Sequence, residues 1–266
     1  MRNPEAVFAI KIISKSYLEQ KKAKKRVKKE EEVLAALDHE SVIKLYDCGP
    51  DGVIQKASGK FLIDHHYMIM EYSAGPLLFD IHHKIGALGE QIGFFFAAQL
   101  LDCLEYLQAR GVAHRDIKLE NILLDGAMNL KLADFGFAAD KNIDKLSKCW
   151  GTRSYMAPEI LAKKQYNGHS ADIFSTGVVL FILTVGYIPF RAATPSDRYF
   201  HLLCHGQRDK NGLVTEYWNH FAATRSKCPN QPPPLSTSFK SLLQHILAPE
   251  PHLRPSLREI KRSAWF

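Results

Sequence analysis

Two periods of hydrophobic spacing divide the chain. Up to about residue 77, short β-branched and aromatic runs dominate: 7–13 (VFAIKII), 42–46 (VIKLY) and 61–72 (FLIDHHYMIMEY). Their lengths and composition suit strands. Between the first two runs Val27, Leu34 and Leu37 recur at helical spacing within a lysine-rich stretch, which predicts a helix with one apolar face. Beyond residue 77 the spacing is mostly helical. Ile92, Phe96, Leu100, Leu104 and Leu107 mark an amphipathic helix that should end near Gly111, where glycine can adopt the left-handed cap conformation. Two short apolar runs, ILL at 122–124 and LKLA at 130–133, break that pattern. DGAMN joins them and reads as a hairpin turn. The expected fold is α+β, a small sheet-and-helix lobe over 1–72 followed without a linker by a larger helical lobe over 73–266.

Composition narrows the class. With 266 residues and 46% hydrophobic content the chain can bury a sizeable core, which argues against disorder. No internal repeat is visible, and the nearest approach to low complexity is PNQPPPLSTS at 229–238. Cys48, Cys103, Cys149, Cys204 and Cys228 are scattered and never form CxxC, which fits neither a zinc site nor a disulfide framework. A reducing compartment, cytoplasmic or nuclear, is expected. The N-terminus carries no signal peptide, and the longest apolar run, Gly177 to Phe190, contains glycine and proline and is too short for a bilayer, so a soluble protein with no membrane partner is expected.

The net charge of +7 owes much to KKAKKRVKK, Lys21 to Lys29. Such a run can mark a nucleic-acid patch. Here Glu30, Glu31 and Glu32 follow directly, and the apolar spacing puts the lysines on an exposed helix face, so no nucleic-acid partner is expected.

The candidate chemistry lies in HRDIKLEN, residues 114–121, in the loop after the long helix. Asn121 directly precedes the first hairpin strand and Asp134 follows the second. An antiparallel hairpin returns to its start, so both side chains should emerge near Asp116. Two oxygen ligands and a further carboxylate then face one point, a set that suits Mg2+ held by Asn121 and Asp134 together with substrate phosphates. Asp116 can accept a proton from an attacking hydroxyl, and Lys118 can neutralise charge on a moving phosphoryl group.

With these motifs in hand the chain resembles the eukaryotic protein kinases: FAIK with Lys11, HRDIKLEN, Asp134-Phe135-Gly136 and Ala157-Pro158-Glu159 occur in that family's order. The resemblance covers nearly the whole chain. It implies a two-lobed kinase fold, ATP and Mg2+ as cofactors, and transfer of a phosphoryl group to protein substrates. Lys11 would hold the α- and β-phosphates and pair with Glu30, leaving Glu31 and Glu32 on the surface. Met70 would close the back of the nucleotide pocket, Glu71 and the Ser73 backbone would hold the adenine edge, and Ala9 and Leu123 would sandwich the ring. Glu120 is counted with these cofactor-binding residues and could also read a basic residue on a substrate. Leu34, Leu45, His114 and Phe135 would form a column joining the lobes, anchored by Asp172, and Glu159 would pair with Arg254. The doublets His65-His66 and His82-His83 lack metal-ligand spacing and are expected on the surface.

Lys118 and Thr152 resemble the serine/threonine class, and MEYSAGPLLFDI, ADFGFAA and SAWF are similar to the calcium/calmodulin-dependent group, without implying calmodulin binding. Leu77 stands where relatives often place an acidic residue, which weakens the expectation of an arginine three residues before the target. Arg115 beside Asp116 implies an anion that orders the segment after Gly136. Ser147 phosphorylation or Asp144 could supply it, while Lys148 sits about where relatives often carry a phosphorylated threonine. No GxGxxG occurs, and only ten residues precede Lys11. A chain without that loop should bind ATP weakly, transfer phosphate slowly and expose a strand edge. The alternative is therefore a catalytically impaired, kinase-like scaffold. A small-molecule kinase is the weaker reading, since GTRSYMAPE resembles a peptide platform.

Overall fold

A computed structural model describes residues 7–55, 58–226 and 233–266. Cys228, residues 229–232 of the proline-rich stretch and the first six residues lie outside them.

Strand β1 (Phe8–Ile13) carries Lys11. Ser14 then caps the short helix α1 (Lys15–Glu19) by accepting from the Tyr17 amide, and α2 (Lys21–Ala35) follows. Strands β2 (Leu45–Gln55) and β3 (Phe61–Glu71) complete an antiparallel sheet ordered β1-β3-β2, whose register sets Lys11 opposite Met68 and Ala9 opposite Met70. The outer edge of β1 has no partner strand among the described residues. The expected strand at 42–46 begins only at Leu45. Val42 and Ile43 instead dock on the hairpin below, where the Ile43 amide donates to the Leu132 carbonyl at 3.0 Å and both side chains are buried. That apolar run stitches the lobes together.

Helix α2 buries Ala23, Val27, Glu30, Val33 and Leu34 on one face, while Lys21, Lys22, Lys24, Lys25 and Lys28 are exposed as the spacing implies. Arg26 and Lys29 depart from that pattern. Both are only partly exposed, because they reach residues beyond the hairpin. Glu31 and His66, expected on the surface, bond each other with side chains 18% and 13% exposed, since the sheet folds over α2. His82 is half-buried against the Gly86 carbonyl, and burial lowers its pKa.

The larger lobe begins with α3 (Leu78–Ile85) and α4 (Gly89–Ala109). As expected, α4 stops just before Gly111, which takes φ +65. The hairpin β4 (Ile122–Leu124) and β5 (Leu130–Leu132) follows, then α5 (Pro158–Leu161) and α6 (Gly168–Val185). Helix α6 is long and apolar enough by length and composition to cross a membrane. Its apolar residues are accounted for as core, with 89% of the helix buried inside the fold. Around it pack α7 (Arg198–His205), α8 (Thr215–Arg225), α9 (Thr237–Ile246) and α10 (Leu257–Lys261). The N-termini of α6, α7, α9 and α10 are capped by Asn167, Asp197, Ser236 and Ser256, each satisfying amides that the first helical turn leaves unpaired.

Candidate active site

The catalytic-loop candidate is suspended from α6. Buried Asp172 accepts from the amides of His114 at 2.7 Å and Arg115 at 2.8 Å. Burial pushes the Asp172 carboxyl up to about 7, against the pull of those two amides. Arg115 has φ +70, a region costly for a residue with a β-carbon, and the paired amides hold it there. The His114 imidazole is fully buried, meets the Phe135 ring edge-on at 4.7 Å and bonds the Ala133 carbonyl at 3.0 Å. Burial lowers its pKa, which suits a packing role in the column with Leu34, Leu45 and Phe135.

With the loop so held, Asp116 lies 4% exposed among four donors. Its carboxylate accepts from Asn121 Nδ2 at 3.1 Å and from the Thr152 amide and hydroxyl at 3.0 and 3.2 Å, and pairs with Lys118 Nζ at 2.8 Å. Lys118 also donates to the Thr152 hydroxyl at 3.0 Å. Thr152 can come this close because Gly151, at φ +113, has no β-carbon. One built there would lie 2.8 Å from the Arg115 carbonyl oxygen.

The hairpin does what its order implied. The Ala133 amide donates to the Asn121 carbonyl at 2.9 Å, so Asn121 and Asp134 leave the ladder at one end. Asn121 turns its amide nitrogen to Asp116, leaving Oδ1 as its oxygen for a cation. Asp134, at φ +60, has a side chain 38% exposed and an oxygen 3.9 Å from Lys11 Nζ. Lys11 in turn donates to both oxygens of Glu30 at 2.6 and 2.7 Å. Burial raises the Glu30 pKa while Lys11 lowers it. No group of three His, Cys, Asp or Glu side chains among the described residues could cage a metal. One amide oxygen and one carboxylate fit a Mg2+ that keeps water and phosphate ligands.

The wall expected at the adenine is equally localised. Ala9 pairs with Met70 across the sheet, the Ser73 hydroxyl donates to the Leu124 carbonyl at 2.6 Å, and the Gly75 amide donates to the same carbonyl at 2.9 Å. Leu77 bridges to Leu123. The Glu71 carboxylate faces away, pairing with Lys131 Nζ at 2.6 Å, so any contact with a base falls to its main chain. Glu120 is exposed and bonds the Tyr155 hydroxyl, whose pKa is raised by burial and by that carboxylate. Glu159 and Arg254 form a buried two-pronged pair at 2.7 and 2.6 Å.

Among the described residues the Arg115 guanidinium forms no ion pair. It donates to the Tyr166 hydroxyl and to the carbonyls of Phe137 and Lys148, and Asp144, one of the two expected sources, is bonded to Asn167 instead. Arg26, Phe137, Trp150 and Tyr166 are the site residues the sequence reading missed. For Arg26 a signal existed, since it lies one helical turn before Glu30 and therefore on the same face.

The Protein kinase domain model matches residues 1–266. The chain belongs to the protein kinase family. It is 34% identical over 260 residues to CBL-interacting serine/threonine-protein kinase 8 of Arabidopsis thaliana, covering 97% of this chain and 51% of that protein. It is 33% identical over 263 residues to CBL-interacting protein kinase 11 of Oryza sativa subsp. japonica, covering 97% of this chain and 46% of the relative. The chain thus spans about half the length of the curated relatives it matches. Among them are serine/threonine kinases, in keeping with the class read from Lys118 and Thr152.

Proposed function

We propose that this kinase domain transfers the γ-phosphoryl group of ATP to serine or threonine hydroxyls of protein substrates. The observation that carries the reading is the convergence on one point of Asp116, Lys118, Asn121 and Thr152, with the Lys11–Glu30 pair and Asp134 beside it. ATP with Mg2+, when bound, would supply the transferable group and much of its charge neutralisation, and Asn121 and Asp134 would hold the ion. Asp116 orients the incoming hydroxyl and takes its proton. Lys118, anchored by Thr152, sets a positive charge where the transferred group gains negative charge. Lys11, fixed by Glu30, draws the nucleotide phosphates toward Asp134. Ala9, Met70, Leu123 and the main chain at Glu71 and Ser73 line the base, and Glu120 faces the peptide. The free thiols Cys48, Cys103, Cys149 and Cys204 suit a reducing, cytoplasmic or nuclear setting.

The test is a pair of variants measured for peptide phosphorylation and for nucleotide binding with and without Mg2+. Asp116→Asn should lower turnover at least roughly a hundredfold with little change in nucleotide affinity, because it removes a positioned base and no phosphate contact. Asp134→Asn should abolish the Mg2+ dependence of binding as well. Turnover of the Asp116 variant at the parent rate would refute the assignment, and Mg2+-dependent binding without turnover in the parent chain would favour the scaffold.

A further inference from the structure

Helix α2 presents more than Glu30 to the catalytic loop. Arg26 sets its guanidinium 4.0 Å from the ring centre of Phe137 and 6.0 Å from that of Trp150. The two rings meet edge to face at 4.9 Å. Lys148 places its ammonium 5.5 Å from the Trp150 ring, and Lys29 bonds Asp140 at 2.7 Å. The helix is thereby fastened at two places to the segment that starts at Asp134 and returns to the catalytic loop at Thr152.

The other side of the segment is tied with equal economy. Arg115 donates Nε and Nη2 to the Tyr166 hydroxyl at 3.0 and 2.7 Å, and Nη2 to the Lys148 carbonyl at 3.0 Å. The Tyr166 hydroxyl donates to that same carbonyl at 2.9 Å. Every acceptor is neutral. Between the two ties lies a cavity of about 170 Å³ lined by Lys25, Arg26, Lys29, Arg115 and Lys148. Five cations around one space repel one another; Lys25 and Lys148 are exposed to water, whereas Lys29, Arg115 and Arg26 are only partly exposed and are offset locally. Lys29 is offset by Asp140, and Arg115 by the tyrosine and the carbonyls. Arg26 Nε is buried without a hydrogen-bond partner among the described residues, and the guanidinium charge is offset by the nearby Glu30 carboxylate together with the negative ring faces of Phe137 and Trp150.

We infer that Arg26, Phe137, Trp150 and Tyr166 form a clasp that keeps Glu30 on Lys11 and Thr152 on Asp116 with no phosphate on the segment. They are positioning residues, and the inference rests on the kinase reading above. The aromatic faces and a phenol hydroxyl take the part that an anion would otherwise play opposite Arg115 and α2. Position 147 then carries an ordinary exposed serine. Losing one desolvated cation–ring contact should shift the ordered population of the segment about five- to thirtyfold.

The experiment uses the whole 266-residue chain after phosphatase treatment, with mass spectrometry to show that residues 137–152 carry no phosphate. Amide hydrogen exchange is followed over 146–152, where Leu146 donates to the Tyr166 carbonyl and Thr152 to Asp116, with α6 as the internal control for intact folding. The dephosphorylated chain and Ser147→Ala should be equally protected. Arg26→Met and Trp150→Ala should exchange about five- to thirtyfold faster over 146–152 with α6 unchanged, and Arg26→Lys and Trp150→Phe should restore most of the protection because they keep a cation and a ring. Peptide phosphorylation is measured on the same samples and should fall in the two damaging variants. Exchange that rises to the Arg26→Met level when the parent is dephosphorylated overturns the clasp. So does an Arg26→Met chain protected like the parent. A parent with no phosphotransfer but with this exchange pattern would sink the kinase reading and leave the clasp standing.

Discussion

Arg254→Met should be among the most damaging single changes in the larger lobe. The Arg254 and Glu159 side chains are 1% and 6% exposed and meet through two bonds of 2.7 and 2.6 Å. Arg254 spends its remaining donors on the carbonyls of Ala248 at 3.0 Å, Ser170 at 3.1 Å and Pro249 at 3.2 Å, and lies over the Phe174 ring at 4.9 Å. Removing it strands a buried carboxylate and deprives three carbonyls of a donor. Breaking one side of such a pair costs roughly 3–5 kcal/mol. For a domain of this size 1 kcal/mol moves the melting temperature by about 2–4 °C, so the expected drop is about 6–20 °C.

The two partners are not equivalent. Glu159→Leu leaves the guanidinium its carbonyls and its ring, so that variant should lose less. The double variant should lose clearly less than the sum of the singles, because no uncompensated charge remains. Thermal unfolding followed by circular dichroism on the three variants gives both the ranking and the coupling. Strict additivity, or a larger loss in Glu159→Leu than in Arg254→Met, would refute the reasoning.

Two further outcomes follow from the site. Burial holds His114 neutral and lowers its pKa, so the unfolded chain binds a proton that the native state refuses. The stability that His114 contributes should therefore be full above about pH 6.5 and fall as pH drops below it, while buried Asp172, pushed up to about 7, contributes in the opposite sense and loses stability as pH rises toward that value. The difference in slope between His114→Phe and the parent in urea melts between about pH 5 and 7.5 isolates the histidine, and equal slopes in the two proteins would count against it. Gly151→Ala forces a β-carbon to 2.8 Å from the Arg115 carbonyl at φ +113 and should cost about 1–3 kcal/mol, read as a lower melting temperature together with weaker peptide phosphorylation, whereas parent-like values of both would show that the segment can yield.

Whatever depends on chain order or local spacing was legible in the sequence by itself. Helical period and a terminal glycine located α4. The hairpin's return, which needs only two apolar runs and a turn, put Asn121 and Asp134 at one end near Asp116, and the ordered motifs carried the family. Strand limits were less legible, because Val42 and Ile43 are apolar enough for a strand yet pack on β5, a choice made by a surface far away in sequence. The same holds for polar side chains that end up inside. His66 and Glu31 look like surface residues until the sheet closes over α2, and Arg26 looks like one more lysine-run cation until Phe137 and Trp150 arrive to meet it. Arg115 advertises a need for compensation in the sequence, but whether a phosphate, a carboxylate or a phenol provides it depends on which group the fold brings within about 3 Å. Spacing along the chain determines which face a residue occupies. Only the packing of those faces decides what its charge will meet.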